Sequence, residues 1–299
     1  MGKGLMRILF FALLDCKIMV LTMPDLDNYH IKKSKKNVHY IYVQHSLISS
    51  HMGYNKNAFN NYNSIFCSTP YHLKEISKME EQNNLKIKKK LEHGYGKLDV
   101  LLDKTNNKIL KGHILIAPSW HEGSLIDNGI EKIIKILLIN DFTVYFRPHS
   151  ETIIRNKKNL DIIVNRFIQY PKFILDSKFS NNVFEKVEYL ITDWSGIAFE
   201  FSYLTLRPTI FINTAKKISN HDYKILNIEP FEISARDQIG YSLEINEIDN
   251  ILKTLKILNN EKNKYQNKIK KIREENIYNL GRSGQVGAKY IKEMLKQIN

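Results

Sequence analysis

The sequence predicts an α/β protein of two domains, and three observations carry that expectation. Short β-rich apolar runs recur at 18–22, 39–43, 64–67, 114–117, 143–146, 189–192 and 209–212. Amphipathic stretches such as 71–82 and 128–140 lie between them, so strands alternate with helices, the pattern of parallel sheets covered on both faces. The 299 residues, 43% of them hydrophobic, suffice to fill two cores.

Taken in order, the chain opens with Lys3 and Arg7 ahead of the apolar run Ile8-Leu9-Phe10-Phe11-Ala12-Leu13-Leu14, a start that resembles a signal peptide and sets Cys16 where a lipobox cysteine would stand. Asp15 occupies the place before that cysteine where a small residue is needed, and the run is too short to span a bilayer. A buried helix or strand at the edge of the first domain is expected instead. The polar stretch Lys104-Thr105-Asn106-Asn107-Lys108 reads as a linker, which gives domains of 1–108 and 109–299. From about residue 244 the pattern is helical, and the Lys-rich segment 259–275 reads as a solvated helix face.

Composition excludes several classes. The 45 Lys and Arg against 31 Asp and Glu give a formal charge of +14, which favours anionic partners without naming a reaction. Cys16 and Cys67 stand far apart with no CxxC, so neither a zinc site nor a disulfide framework is expected, and a reducing, cytoplasmic setting fits. No Walker loop, GxGxxG after the first strand, HExxH or GxSxG is present. The aromatics fall within apolar runs and do not interleave with basic residues, so no nucleic-acid groove is expected.

In parallel α/β sheets, ligands sit beyond the carboxyl ends of strands, and four such ends carry polar chemistry. After 39–43 comes Gln44-His45-Ser46, where His45 is either a general base or a structural histidine. After 114–117 the turn Pro118-Ser119-Trp120-His121-Glu122-Gly123 offers Ser119, His121 and backbone amides, or is an ordinary strand-to-helix loop. After 143–146, Arg147 and His149 flank Pro148 at a spacing that aims both at one phosphate group. After 189–192 the run Thr192-Asp193-Trp194-Ser195-Gly196 opens a helix whose hydroxyls and amides form an anion site.

In their order and spacing these pieces resemble the CDP-glycerol glycerophosphotransferase family, the teichoic-acid primases and polymerases and their relatives in capsule loci. The matching pieces are Tyr42-Val43-Gln44-His45-Ser46, 59–66 with Pro70-Tyr71-His72 and Glu75, and Gly94-Tyr95-Gly96-Lys97-Leu98-Asp99. They continue through Ile116-Ala117-Pro118-Ser119-Trp120, Arg147-Pro148-His149, 190–196 with Phe199-Glu200, and Arg207-Pro208-Thr209-Ile210-Phe211. In the teichoic-acid enzymes a Trp-His-Gly tripeptide carries the base; here the local sequence is Gln44-His45-Ser46, so only the histidine transfers.

The resemblance implies a GT-B fold, two Rossmann-like domains facing a cleft, the first of them short. It implies that His45 deprotonates an acceptor hydroxyl, which attacks the β-phosphorus of a CDP-polyol and expels CMP. Arg147 and His149 would bind the diphosphate, while Ser119, His121, Thr192, Asp193, Ser195 and Gly196 would hold the donor, with no metal and no cofactor. The implied partners are a CDP-polyol or other nucleotide-activated donor and a lipid-linked or polymeric glycan acceptor. Charge and the lipid-linked acceptor together suggest a peripheral contact with the anionic inner face of the plasma membrane, through residues 86–90 or the C-terminal helices. Two alternatives remain open: a nucleotide-sugar glycosyltransferase of the same architecture, and a non-catalytic module that binds an anionic polymer.

Overall fold

A computed structural model describes residues 4–29, 31–103, 108–177 and 182–298, and the expected linker 104–108 lies almost wholly outside them. The described residues form two all-parallel sheets. By contact the chain groups into two compact units, one of Met1–Asp103, Ile218–Phe231 and Glu274–Asn299, the other of Lys104–Lys217 and Glu232–Arg273. The second segment boundary falls inside the stretch that the sequence assigns to a single domain.

In the first unit the strands β1 (Ile18–Leu21), β2 (His39–Val43), β3 (Ser64–Cys67) and β4 (Lys89–Glu92) lie side by side in chain order. The two-residue period of a strand divides β2 between two cores. Tyr40 and Tyr42 face one way, into a cluster with Phe59, Tyr62, Ile65 and Ile76. Ile41 faces the other way and meets Phe66 and Met294. Helix Pro70–Gln82 is fixed at its start by Thr69, whose hydroxyl accepts from the amide of His72, with Pro70 in the first turn.

Met294 belongs to helix Ser283–Ile298, so the chain's last helix closes the far face of the first sheet. The Gly94-to-Asp99 motif makes that return possible. Asp99, buried, accepts from the amides of Gly281 at 2.7 Å and Ser283 at 2.8 Å and from the Ser283 hydroxyl, capping the incoming helix. Gly94 has φ +106°, and a Cβ there would stand 2.4 Å from the carbonyl oxygen of Tyr278.

The opening segment is the helix Leu5–Leu13, but it is not buried as expected. Phe11 alone reaches the core, and Leu5, Met6, Leu9, Phe10 and Leu13 are exposed. No helix among the described residues is long and apolar enough to cross a membrane. The basic stretch 86–90 also turns partly inward. Lys88 and Lys90 both pair with the buried Glu80, which leaves Lys86 and Lys89 pointing outward.

The second unit holds β5 (His113–Ile116), β6 (Thr143–Phe146), β7 (Phe173–Leu175), β8 (Tyr189–Thr192), β9 (Thr209–Asn213) and β10 (Gly240–Glu244), in the order β10-β9-β8-β5-β6-β7. Renumbered from β5, that order is 3-2-1-4-5-6 read from the β7 edge, the doubly wound arrangement of dinucleotide-binding domains. The central strands β5 and β8 are continuous apolar runs because helices cover both faces. Helix Ile130–Ile139 buries Ile130, Ile133, Ile134 and Leu137, one stripe at helical spacing. Arg207 is buried and its guanidinium donates to the carbonyls of Phe184 at 2.6 Å and Val187, which makes the Arg207-Pro208 motif a structural latch. β10 begins on Gly240, where a Cβ would stand 1.9 Å from the Thr209 carbonyl oxygen.

Candidate functional site

All strands of the second sheet are parallel, so the loops after β5, β6, β8 and β9 emerge along one edge. The connections from β5 and β8 leave toward opposite sides, and the crevice at such a switch point is where ligands bind in this class of sheet.

Asp193 holds that crevice in shape. Fully buried after β8, it accepts from the amide of Ser119 at 2.7 Å and from the amide of Leu125 at 2.9 Å, one on each oxygen. Thr192, also fully buried, donates its hydroxyl to the Ala117 carbonyl at 2.6 Å. Ser119 and His121 form a second brace. Nε2 of His121 faces the carbonyl of Ala215 at 2.6 Å and must carry a proton, so in the neutral ring Nδ1 accepts from the Ser119 hydroxyl at 2.8 Å. These four expected donor ligands therefore tie the loops after β5, β8 and β9 to one another.

Arg147 and His149 do not point alike. The sequence aims both at one phosphate, whereas the structure turns Arg147 inward. Its Nε donates to Asp176 at 2.7 Å, its Nη2 lies 2.5 Å from the same carboxylate, and the guanidinium sits 5.0 Å from the Phe184 ring centroid. His149 stands half-buried at the strand end and caps helix Ser150–Arg155, its Nδ1 accepting from the amide of Glu151 at 3.1 Å. Burial, with Lys217 nearby, pushes its pKa down to about 4. The ring is thus neutral near pH 7, and with Nδ1 used as an acceptor the proton sits on Nε2, which presents an N–H donor.

Ser195 and Gly196 remain partly open at the start of helix Ile197–Thr205, with the Ser195 hydroxyl 3.5 Å from the Ile197 amide. Beside them are residues the sequence reading did not single out. Arg236 is buried against Trp194 at 4.1 Å and Phe211 at 4.3 Å, and it donates to the Asp193 carbonyl and to Asn213. Lys217 lies with its ammonium 4.8 Å from the Trp120 ring centroid. Both follow the predicted strand 209–212, and Lys217 falls within the strand-end rule that picked out the other candidates.

His45 lies in the first unit, exposed at the end of β2. Its Nδ1 is 3.0 Å from the hydroxyl of the buried Tyr42, its carbonyl accepts from the Tyr95 hydroxyl at 3.0 Å, and its ring meets Tyr54 edge-on at 5.6 Å. The imidazole is held at Nδ1. Among the described residues no three His, Cys, Asp or Glu side chains come together as a metal cradle.

No curated protein matches the sequence. Solved structures share the fold. A variant of the wall teichoic acid polymerase TagF superposes with TM-score 0.62 at 18% identity, over 95% of this chain and 74% of that one. A TagF variant soaked with CDPG gives 0.58 at 20% identity, over 95% and 73%. The UDP-GlcNAc 2-epimerase of Methanocaldococcus jannaschii, in complex with UDP-GlcNAc and UDP, gives 0.52 at 14% identity, over 86% and 69%. At these identities the likeness establishes an α/β fold of the GT-B kind and nothing finer. The sequence profile described as CDP-Glycerol:Poly(glycerophosphate) glycerophosphotransferase matches residues 7–286, so nearly the whole chain is accounted for and the protein belongs to that family of transferases.

Proposed function

We propose that the protein transfers a glycerol-phosphate or related polyol-phosphate group from a CDP-activated donor to a surface-glycan or teichoic-type acceptor, releasing CMP. The observation that carries this reading is the crevice at the β5–β8 switch point. There a neutral His149 presents Nε2–H, and the Ser195 hydroxyl and the amides at the start of helix Ile197–Thr205 face the same strand edge. Family membership and the CDPG-soaked TagF structure favour CDP-glycerol as the donor.

In the proposed reaction His45 Nε2 takes the proton of the acceptor hydroxyl, whose oxygen attacks the β-phosphorus of the donor. The bond from that phosphorus to the bridging oxygen breaks, and CMP leaves with the electron pair. His149 and the helix-start donors hold the diphosphate and the charge that develops on it, work that is chiefly electrostatic positioning. Asp193, Thr192, Ser119 and His121 keep the loops in place, and Arg147, anchored on Asp176, fixes the strand end from which His149 projects.

A donor screen tests the reading: turnover of CDP-glycerol or CDP-ribitol with no turnover of UDP- or GDP-sugars supports it. The reverse pattern establishes the glycosyltransferase alternative. We further propose a peripheral contact with an anionic membrane through the exposed lysines of helix Lys262–Asn276, among them Lys262, Lys268, Lys270 and Lys271. Flotation with anionic vesicles at moderate salt is expected, and its absence removes that part of the proposal.

A further inference from the structure

Lys217 stands at the end of the β9 loop, and its ammonium rests 4.8 Å above the centroid of Trp120. The indole is 37% exposed, so part of it is open to a ligand. The same ring lies 6.1 Å from His149, and the Arg155 guanidinium sits 5.5 Å from its centroid. Three basic side chains, two of them cationic, therefore gather around one half-open indole at the carboxyl edge of the sheet. We infer that Lys217, together with the Nε2–H of His149, forms a subsite for a phosphoryl oxygen of the nucleotide donor, with Trp120 as its floor. The inference rests on the donor reading above and adds a residue to it.

The electrostatics around the amine agree with that assignment. The acidic groups near it are Asp193 after β8, Glu151 in helix Ser150–Arg155 and Glu232 in helix Phe231–Ser234. His149 is the nearby imidazole, Arg155 shares the indole, and Lys216 lies over Trp194. Asp193 already accepts from two backbone amides, which draws on the negative charge it can offer. The three carboxylates do not compensate for burial, and the amine's pKa is pushed down to about 8. A bound phosphoryl group supplies the missing counter-charge, so binding takes up a proton wherever the free amine is partly deprotonated.

The test is calorimetric titration of CDP and of inorganic pyrophosphate into wild type, Lys217→Met and Lys217→Arg at pH 7 and pH 9. With the free amine titrating at about 8, wild-type affinity is expected to fall about tenfold from pH 7 to pH 9, with proton uptake on binding. Lys217→Met is expected to bind more weakly at pH 7 with little change between the two pH values, and Lys217→Arg to bind at both. A Met variant that binds both probes as tightly as wild type, with the same pH dependence, overturns the subsite. Lys217-dependent binding of pyrophosphate without binding of CDP keeps the subsite and overturns the CDP donor. A wild type that binds neither probe overturns both.

Discussion

The Tyr42 hydroxyl lies 3.0 Å from Nδ1 of His45, on a phenol that is completely buried while the imidazole is exposed. Burial raises the Tyr42 pKa well above the usual phenol value, so the group stays protonated. Where the Tyr42 oxygen accepts Nδ1–H of His45, the lone pair falls on Nε2, the tautomer that a general base needs. Tyr42→Phe is therefore expected to lower kcat by about tenfold with donor KM little changed. That is less than the roughly 10²- to 10⁴-fold expected on removing the base itself. Steady-state kinetics across pH check this; an unaltered pH profile and kcat would separate Tyr42 from the chemistry.

Arg147 is bound to Asp176 by two nitrogens in a buried setting, and removing one partner leaves the other charge uncompensated. Arg147→Ala is expected to lower unfolding free energy by about 3–5 kcal/mol. Urea denaturation measures it. A variant of unchanged stability that no longer binds CDP would instead return Arg147 to direct phosphate contact.

The cap that Asp99 forms on the final helix predicts a local weakness. Asp99→Ala strips the acceptors from the Gly281 amide and from the buried amide and hydroxyl of Ser283, at a cost of about 3 kcal/mol. Limited proteolysis should then cut near residues 274–282 faster than in wild type, releasing the helix Ser283–Ile298.

His72 sets an acid limit on stability. It is fully buried, donates from Nε2 to the Ile48 carbonyl at 2.9 Å, and burial pushes its pKa down to about 4. A folded-state value below the unfolded one means that the unfolded chain binds the proton first. Stability is therefore undiminished above pH 6.5 and falls as pH drops from 6.5 to about 4, by about 3 kcal/mol from this residue. Urea midpoints across that range should show the loss, and His72→Gln should flatten it.

Much of the fold was legible because the inner strands announce themselves. Runs such as Tyr40-Ile41-Tyr42-Val43 and Tyr189-Leu190-Ile191-Thr192 are apolar on both faces, as strands covered on both sides must be. The strands that escaped, β4, β7 and β10, are all edge strands, and each is short, charged or opened by glycine. The candidate site was legible in position but not in role. Strand ends located the loops correctly in the sheet, yet no local pattern says that Thr192 bonds the Ala117 carbonyl, Asp193 the Ser119 and Leu125 amides, or His121 the Ala215 carbonyl. Their partners are as many as 94 residues away, in the case of His121 and Ala215. Lys217 was missed although it follows a predicted strand, because Lys216-Lys217 reads as ordinary surface charge until the Trp120 ring is placed beneath it.

The most direct test of the central claim is CMP release from CDP-glycerol by the purified protein with a crude membrane acceptor fraction, comparing wild type with His45→Ala. The account predicts release by wild type and its loss in His45→Ala with donor binding intact. A His45→Ala variant that releases CMP at the wild-type rate, or a wild type that neither binds nor turns over CDP-glycerol, would contradict it.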